Sequence, residues 1–164
     1  YRLETGDLVL QPHTEGLGDP GQPAFLARRQ QHMFADASTE LTFMPATPDE
    51  EAGLAAFQND AAYYALGVST GDDGTRVVRL RRRADDNIAP RGEIIAEVAA
   101  AAEPGAPLRL KISARGPKLD FFQATPDGPW QPVAVDQDGT ILSTEKAGGF
   151  VGTLLGVYAQ SGKD

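Results

Sequence analysis

Glycine and proline divide this chain into short runs in which apolar and polar residues alternate. The chain holds 18 glycines and 12 prolines, which are spread along its length rather than clustered. The clearest run is Leu108-Arg109-Leu110-Lys111-Ile112-Ser113, whose apolar residues would share one face of a strand and whose polar residues would share the other. Such runs, separated by turn residues, favour β-strands.

Turn signals recur at the spacing expected of an all-β sandwich or barrel. The segments Gly71-Asp72-Asp73-Gly74 and Thr125-Pro126-Asp127-Gly128-Pro129 are typical of hairpin turns, and residues 12–23 have the composition of a long loop. Helical signals are weak and limited to one turn at 48–51 and an alanine run at 98–102. We therefore predict an all-β fold, a two-sheet antiparallel β-sandwich. Its predicted strands are residues 3–10, 25–32, 39–43, 53–58, 63–69, 76–81, 93–98, 108–113, 119–123, 131–135 and 149–158.

One predicted strand does not alternate. Its second half, Arg28-Arg29-Gln30-Gln31-His32, presents five consecutive polar residues without a turn former. Polar groups on both faces of a strand are costly to bury unless each has a partner. The segment is therefore either a buried polar network or one wall of a site. Because no catalytic pair lies nearby, we favour the network, in which Glu50 or Glu51 is the charge partner of Arg28 and Arg29 across a sheet and Gln30 belongs to the same network.

The charge balance disfavours two classes of partner. The chain carries 23 acidic and 15 basic residues, with a net charge of -8 and a pI of about 4.7. Nucleic acids and anionic membranes need a basic face, so neither is an expected partner. The one basic run, Arg79-Leu80-Arg81-Arg82-Arg83, is interpreted as the solvated face of a strand that Asp85 and Asp86 neutralise. No apolar run has the length of a membrane span.

Metal and cofactor sites have little support. The chain has no cysteine, which excludes disulfides and thiolate ligands but leaves the compartment open among bacterial cytoplasm, periplasm and secretion. Its two histidines are His13, expected to be solvated in the long loop, and His32, expected to be hydrogen-bonded rather than catalytic. No set of residues has the spacing of metal ligands. No cofactor is therefore predicted.

No catalytic constellation is visible either. Glycoside hydrolysis needs two carboxyl groups that face each other across a sugar. The adjacent pairs Asp72/Asp73, Asp85/Asp86 and Glu50/Glu51 do not provide this geometry, because neighbouring strand residues point to opposite faces. The glycine-rich segment 147–152 leads into an apolar strand and matches neither a nucleophile elbow nor a phosphate loop. We assign no catalytic residue to this chain.

The sequence as a whole resembles a known family. The resemblance is carried by Phe25-Leu26-Ala27 with the polar run after it, Glu50-Glu51-Ala52-Gly53-Leu54, Asp127-Gly128 before Trp130, and Gly148-Gly149-Phe150 followed by Leu155-Gly156-Val157-Tyr158. Together these residues look like the C-terminal concanavalin A-like domain of glycoside hydrolase family 43, a family of β-xylosidases and α-L-arabinofuranosidases. The resemblance covers nearly the whole chain and implies a concanavalin A-like sandwich of the jelly-roll type.

The resemblance also implies a division of labour. In the family, a five-bladed propeller carries the catalytic carboxylates, and the sandwich packs against it. A loop of the sandwich helps to shape the substrate pocket, and Phe150 with Gly149 corresponds to that loop here. The start at Tyr1 fits a single sandwich domain, 1–164, excised from a larger hydrolase. The expected partners are the propeller and a xylo- or arabino-oligosaccharide, and a homo-oligomer is also open.

Two functions therefore compete. The first is an accessory domain, inert alone, that completes the pocket of a propeller through Phe150. The second is a lectin-like carbohydrate-binding module that acts without a catalytic partner. The second requires outward aromatic rings, one of Tyr63/Tyr64 or of Phe121/Phe122, on a concave face.

Overall fold

A computed structural model describes residues 1–149 and 152–162 of the protein. In this part of the chain, twelve strands pair with one another, and every pair of neighbouring strands is antiparallel. The strands are β1 (Arg2–Glu4), β2 (Asp7–Val9), β3 (Ala24–Arg29), β4 (Phe34–Leu41), β5 (Glu51–Asn59), β6 (Ala62–Thr70), β7 (Arg76–Arg83), β8 (Glu93–Ala99), β9 (Leu108–Arg115), β10 (Lys118–Ala124), β11 (Gln131–Asp138) and β12 (Leu154–Gln160).

Two sheets face each other, and the predicted two-sheet antiparallel sandwich is confirmed. The larger sheet has the order β3-β12-β5-β6-β7-β8, and the smaller has the order β11-β10-β9-β4, while β1 and β2 form a separate hairpin. In each sheet, the inner face is the one turned toward the other sheet, and the outer face is the opposite one. Strand β12 comes last in the chain but lies between β3 and β5.

The main core lies between the two inner faces. Alternate residues of the paired strands point inward, as the period of two predicts. Tyr64 and Phe121 meet across this layer with ring centroids 5.3 Å apart. The other fully buried members include Leu66, Val68, Val78 and Leu80 of the six-stranded sheet and Leu108, Leu110 and Ile112 of the four-stranded sheet.

The outer face of the six-stranded sheet is covered as well. Leu17, in the loop that joins β2 to β3, packs with Ala55, Tyr63, Ala65 and Tyr158 in a second cluster. Strands β5 and β6 are therefore buried on both faces, which explains why their sequences do not alternate cleanly. The long loop predicted at 12–23 is thus the cover of this face.

Several strand bounds differ from the prediction. A turn at Thr5-Gly6, where both residues have positive φ, splits the predicted strand 3–10 into β1 and β2. Strand β3 ends at Arg29 rather than at residue 32, β4 begins at Phe34 rather than at residue 39, and β12 begins at Leu154 rather than at residue 149. The chain between β11 and β12 also forms elements that were not predicted, a 3-10 turn (Gly139–Leu142) and α1 (Thr144–Ala147).

Candidate functional site

A cleft opens at one end of the sandwich, where β3 ends and β4 begins. Its volume is about 550 Å³. One wall is the polar segment Gln30-Gln31-His32 with Met33, and another is the 3-10 turn with Ser143. The remaining lining residues are Ala114, Gly116, Pro117, Leu119 and Thr153. The polar segment therefore lines a site, as one of the two interpretations of its sequence requires.

Backbone hydrogen bonds fix the polar wall from both sides. The Gln30 N–H donates to the Thr153 carbonyl at 2.9 Å, and the Gly116 N–H donates to the Met33 carbonyl at 2.9 Å. The Gln30 side chain donates to the His32 carbonyl at 2.7 Å. The His32 side chain is exposed. The wall is thus held between the two sheets while its side chains stay accessible.

The facing wall is fixed by two capping residues. Asp138 accepts from the Thr140 N–H at 2.9 Å and so caps the 3-10 turn. Ser143 caps α1 by accepting from the Lys146 N–H at 3.4 Å. The Lys146 ammonium donates to the Thr140 hydroxyl at 2.6 Å and ties α1 back to the turn. These short-range bonds fix the 3-10 turn and α1 relative to each other.

The glycine segment after α1 is anchored to the end of β5. The Asn59 side chain donates to the Ala147 carbonyl at 2.8 Å, and the Gln58 side chain donates to the Gly148 carbonyl at 3.1 Å. Gly149 is exposed with a φ of +87°, a conformation that glycine adopts readily. Phe150, the predicted pocket residue, lies outside the described residues. Ala147 and Gly148 therefore lie beside the end of β5.

The cleft can recognise neutral polar groups. Amide, hydroxyl and imidazole side chains are present in its lining, and its described lining residues include no aspartate or glutamate. Such groups exchange hydrogen bonds with sugar hydroxyls. They cannot supply the two facing carboxyl groups that glycoside hydrolysis uses.

The structure does not bring Arg28 and Arg29 to Glu50 or Glu51. Arg28 lies opposite Leu155 of β12, which lies opposite Ala56, so the register places Arg28 five residues along β5 from Glu51. Both arginines are exposed, and no ion pair to either is found within the described residues. Glu50 instead accepts a hydrogen bond from the Ala46 N–H at 2.5 Å.

Glu51 is the centre of a different, buried polar cluster. It is 1% exposed and accepts from the Arg81 Nε at 2.9 Å and from the Tyr158 hydroxyl at 2.5 Å. A Cβ on Gly67 would lie 2.3 Å from the Tyr158 oxygen and 2.5 Å from the Glu51 Cγ, so only glycine leaves room for this pair. Burial, together with the charge and hydrogen bond of Glu51, raises the pKa of the Tyr158 phenol well above its usual value.

The prediction that the arginines of β7 form a solvated face is wrong. Arg79 and Arg83 are buried. Arg79 donates to the Pro48 and Thr70 carbonyls at 3.1 and 2.9 Å. Asp86 approaches Arg83 only at 3.8 Å and is itself 90% exposed. The prediction failed because β7 lies inside the sheet under a covering loop.

Loop carbonyls take the place of the solvent around Arg83. Its guanidinium donates to the carbonyls of Gly18, Asp60 and Ile88. The sequence analysis did not predict that Arg81 pairs with Glu51 or that Arg79 and Arg83 bind loop carbonyls. The available signal was the spacing of Arg79, Arg81 and Arg83, which places all three on one face of a strand.

Most of the aromatic rings considered for sugar stacking are inaccessible. Tyr63, Tyr64 and Phe121 are 2%, 0% and 0% exposed. Tyr63 points to the outer face but is covered, and its hydroxyl donates to the Pro90 carbonyl at 2.6 Å. Phe122 is half-buried beneath the Lys111 ammonium, 4.7 Å from its ring centre. Of these four candidate rings, only Phe122 retains solvent contact.

Metal and membrane sites gain no support. His13 is exposed, and its Nδ1 lies 2.8 Å from the Gln22 carbonyl oxygen. Across residues 1–149 and 152–162, no three histidine, cysteine or carboxylate side chains come together as metal ligands. In the same ranges, no helix has the length and apolar character needed to cross a membrane.

The two packed antiparallel sheets form a β-sandwich of the concanavalin A-like class. The family model of the β-xylosidase C-terminal concanavalin A-like domain matches residues 1–164. The chain belongs to this family, the C-terminal domains of xylosidase- and arabinosidase-like proteins of glycoside hydrolase family 43. The sequence resemblance and the fold that it implied are confirmed.

Relatives of the chain are longer proteins. Xylosidase/arabinosidase 43B of Humicola insolens is 31% identical over 164 residues, which cover 95% of this chain and 30% of that protein. The non-reducing end α-L-arabinofuranosidase BoGH43B of Bacteroides ovatus is 30% identical over 138 residues, or 84% of this chain and 24% of that protein. The structure of a GH43_12 protein from a capybara gut metagenome has a TM-score of 0.79 and 26% identity, covering 93% of this chain and 30% of that one. The chain thus spans less than a third of the length of these relatives.

Proposed function

We propose that this chain is the accessory sandwich of a family 43 glycoside hydrolase that breaks down oligosaccharides from xylan or arabinoxylan. In this proposal, residues 1–164 are one domain of a larger hydrolase, which packs on the five-bladed catalytic propeller. The segment Gly149-Phe150 reaches over to complete the substrate pocket. The observation that carries the proposal is the neutral cleft beside this segment in a member of this family.

The described carboxylates support an accessory rather than a catalytic role. The pairs Asp72/Asp73 and Asp85/Asp86 lie in surface turns between strands. Glu51 is buried against Arg81 and Tyr158, so a substrate cannot reach it. A hydrolase needs an accessible acid and an accessible base on opposite sides of a glycosidic bond. We therefore assign the chemistry to the propeller.

An exposed edge of the sandwich is suited to the propeller. Strand β3 is an edge strand of the six-stranded sheet, and β4, an edge strand of the other sheet, packs near β12 and β5 on the same side. Met33 and Phe34 are 68% and 73% exposed there, and Arg28 and Arg29 have no carboxylate partner in the described chain. Exposed apolar side chains next to unpaired cations are typical of a surface that a partner covers.

An assay of hydrolysis by the chain alone tests whether the chemistry belongs to the propeller. We expect the purified 164-residue chain to leave nitrophenyl xyloside and nitrophenyl arabinoside intact. Turnover that co-purifies with the folded chain through two chromatographic steps would overturn the proposal, since it would place the chemistry within the sandwich.

A two-domain protein tests the pocket. In a family 43 propeller followed by this chain, we expect Phe150→Ala to lower kcat/KM about tenfold or more, because a group that positions substrate is lost. Ile94→Ala is the matched control, since Ile94 is 47% exposed on β8, at the far edge of the six-stranded sheet. Equal activity of the two variants would contradict the role of Phe150.

The lectin-like module is the second candidate, and Phe122 is the observation that still favours it. Titration of the isolated chain with neutral xylo-oligosaccharides separates the two functions. Saturable binding would favour the module, while the accessory role predicts none, because its pocket is shared with the propeller.

A further inference from the structure

A group of aromatic and basic side chains lies on the outer face of the four-stranded sheet. The Arg109 guanidinium lies 4.5 Å from the centre of the Trp130 ring, and the Lys111 ammonium lies 4.6 Å from it. The same ammonium lies 4.7 Å from the Phe122 ring centre. These four residues, Arg109, Lys111, Phe122 and Trp130, are named the Trp130 platform. Each of them is half-buried and thus retains solvent contact.

The platform is fixed by the strands and by a turn. Lys111 and Phe122 lie directly opposite each other in the β9–β10 register, so both side chains leave the same face. Arg109 is two residues from Lys111 and leaves that face too. Its Nε donates to the Thr125 carbonyl at 3.0 Å and its Nη2 to the Gly128 carbonyl at 2.8 Å, which locks the guanidinium to the hairpin turn before Trp130.

The two cations are not neutralised by the protein. Among the described residues, neither Arg109 nor Lys111 forms an ion pair. Glu40 lies opposite Arg109 in the β4–β9 register, yet it makes no salt bridge to it. In a chain of net charge -8, this is a local concentration of positive charge beside accessible rings. Ring faces bind the apolar C–H faces of sugars, and cations bind carboxylates.

We propose that the Trp130 platform binds a sugar residue that carries a carboxylate, of the uronic acid type. The solvent-accessible part of the Trp130 ring contacts the sugar ring. The ligand carboxylate meets the Lys111 ammonium, which lies within 4.7 Å of both ring centres. The choice of a sugar acid over other ring compounds that carry a carboxylate rests on the proposed function.

Fluorescence reports on this surface alone, because Trp130 is the single tryptophan of the chain. The chain is titrated with a xylo-oligosaccharide that carries one glucuronic acid branch, with the neutral oligosaccharide of equal length, and with acetate. We expect the acidic oligosaccharide to change Trp130 emission saturably and the neutral one to give no saturable change over the same concentration range, because the contact between cation and carboxylate supplies the affinity. Acetate should produce no saturable change, since it has no ring to stack.

Two variants separate the site from general electrostatics. Lys111→Met should abolish the saturable change with the acidic ligand, whereas Lys118→Met, which removes the same charge from an exposed position of β10, should leave it unchanged. The inference is overturned if acidic and neutral ligands bind equally, if neither binds, or if both variants weaken binding alike. The wild-type titrations decide the question even if Lys111→Met fails to fold. No propeller is involved, so these outcomes are independent of those for Phe150.

Discussion

Two strands of this protein each carry a group of arginines, and the two groups differ in burial and in hydrogen bonding. On β3, Arg28 and Arg29 are exposed and make no ion pair within the described residues. On β7, the side chains of Arg79, Arg81 and Arg83 are 4%, 12% and 8% exposed, and all are hydrogen-bonded. The residue type is therefore not what decides burial.

The difference lies in the acceptors that surround each strand. Strand β7 lies inside the six-stranded sheet, where the loops that hold Gly18, Pro48 and Ile88 bring carbonyl oxygens over its outer face and Glu51 of β5 supplies a carboxylate. Strand β3 lies at the edge of the sheet, with β12 as its one strand neighbour there. A guanidinium has five donors, so it can be buried only where the fold supplies several acceptors at once. The comparison teaches that loops, rather than strands, decide which arginines are structural.

The largest effect is expected at the buried carboxylate of β5. Glu51→Ala leaves the Arg81 guanidinium and the Tyr158 hydroxyl without their acceptor in a dry site. We expect the free energy of unfolding to fall by about 3–5 kcal/mol, measured by urea denaturation. The control is Glu40→Ala, which removes an exposed carboxylate and should cost less than about 0.5 kcal/mol. Equal losses would mean that the buried cluster does not stabilise the sheet.

Replacing an arginine of β7 gives the next largest effect. Arg83→Met keeps much of the side-chain volume but leaves the carbonyls of Gly18, Asp60 and Ile88 without their donor. We expect a loss of about 2–3 kcal/mol, because hydrogen bonds from a charged group are lost in a buried site. Hydrogen exchange should show faster opening of the loop around Gly18. An unchanged exchange rate there would show that Arg83 does not fasten the loop.

Alkaline pH tests the buried polar cluster around Glu51 without the substitution of a charged residue. Burial, then the Glu51 charge, holds the pKa of Tyr63 and of Tyr158 above the usual value of about 10. The unfolded chain therefore loses these protons first, so the stabilisation is complete below about pH 10 and is lost as the pH rises toward the folded-state pKa. Each tyrosine contributes a slope of up to about 1.4 kcal/mol per pH unit.

The measurement is urea denaturation at several values between about pH 9 and 11.5. We expect stability to fall less steeply in Tyr158→Phe than in the wild type. Tyr1→Phe, which removes a phenol that is 78% exposed, should follow the wild type. Parallel curves for Tyr158→Phe and the wild type would argue against a shifted phenol in the folded state.

The smallest effect is expected on the edge strand. The double substitution Arg28→Met and Arg29→Met should change the free energy of unfolding by less than about 0.5 kcal/mol, since both side chains are exposed. The melting temperature of the isolated chain measures this. A loss as large as that of Arg83→Met would break the contrast between the two strands.

Much of the fold could be predicted from the sequence, because burial on one face leaves a pattern of period two. Strand β9 and the hairpin turn at 71–74 follow directly from such signals. The irregular chain between β11 and β12 could not be predicted from periodicity, since its shape depends on the capping of short turns by Asp138 and Ser143. The β1–β2 turn was missed because Thr5 is a poor signal for positive φ.

The candidate site was only partly predictable for a different reason. The polar segment 28–32 was recognisable as unusual because it breaks the alternation, but the favoured interpretation was a buried network, whereas residues 30–32 line a cleft. The pairing of Glu51 with Arg81 and Tyr158 joins residues that are 30 and 107 positions apart in the chain, and no local pattern encodes such a contact. The register that separates Arg28 from Glu51 depends on β12, which a sequence pattern does not place between β3 and β5.

The position of β12 also sets the order of events during biosynthesis. Strands β3 and β5 leave the ribosome before the strand that joins them, which is formed by residues 154–160. Until then, β3 has no neighbour in its sheet, and one edge of β5 offers unpaired backbone groups to any other chain. Domains with such long-range pairing fold slowly and expose sticky intermediates. The fold therefore leaves β3 and one edge of β5 open to wrong pairing until residues 154–160 are available.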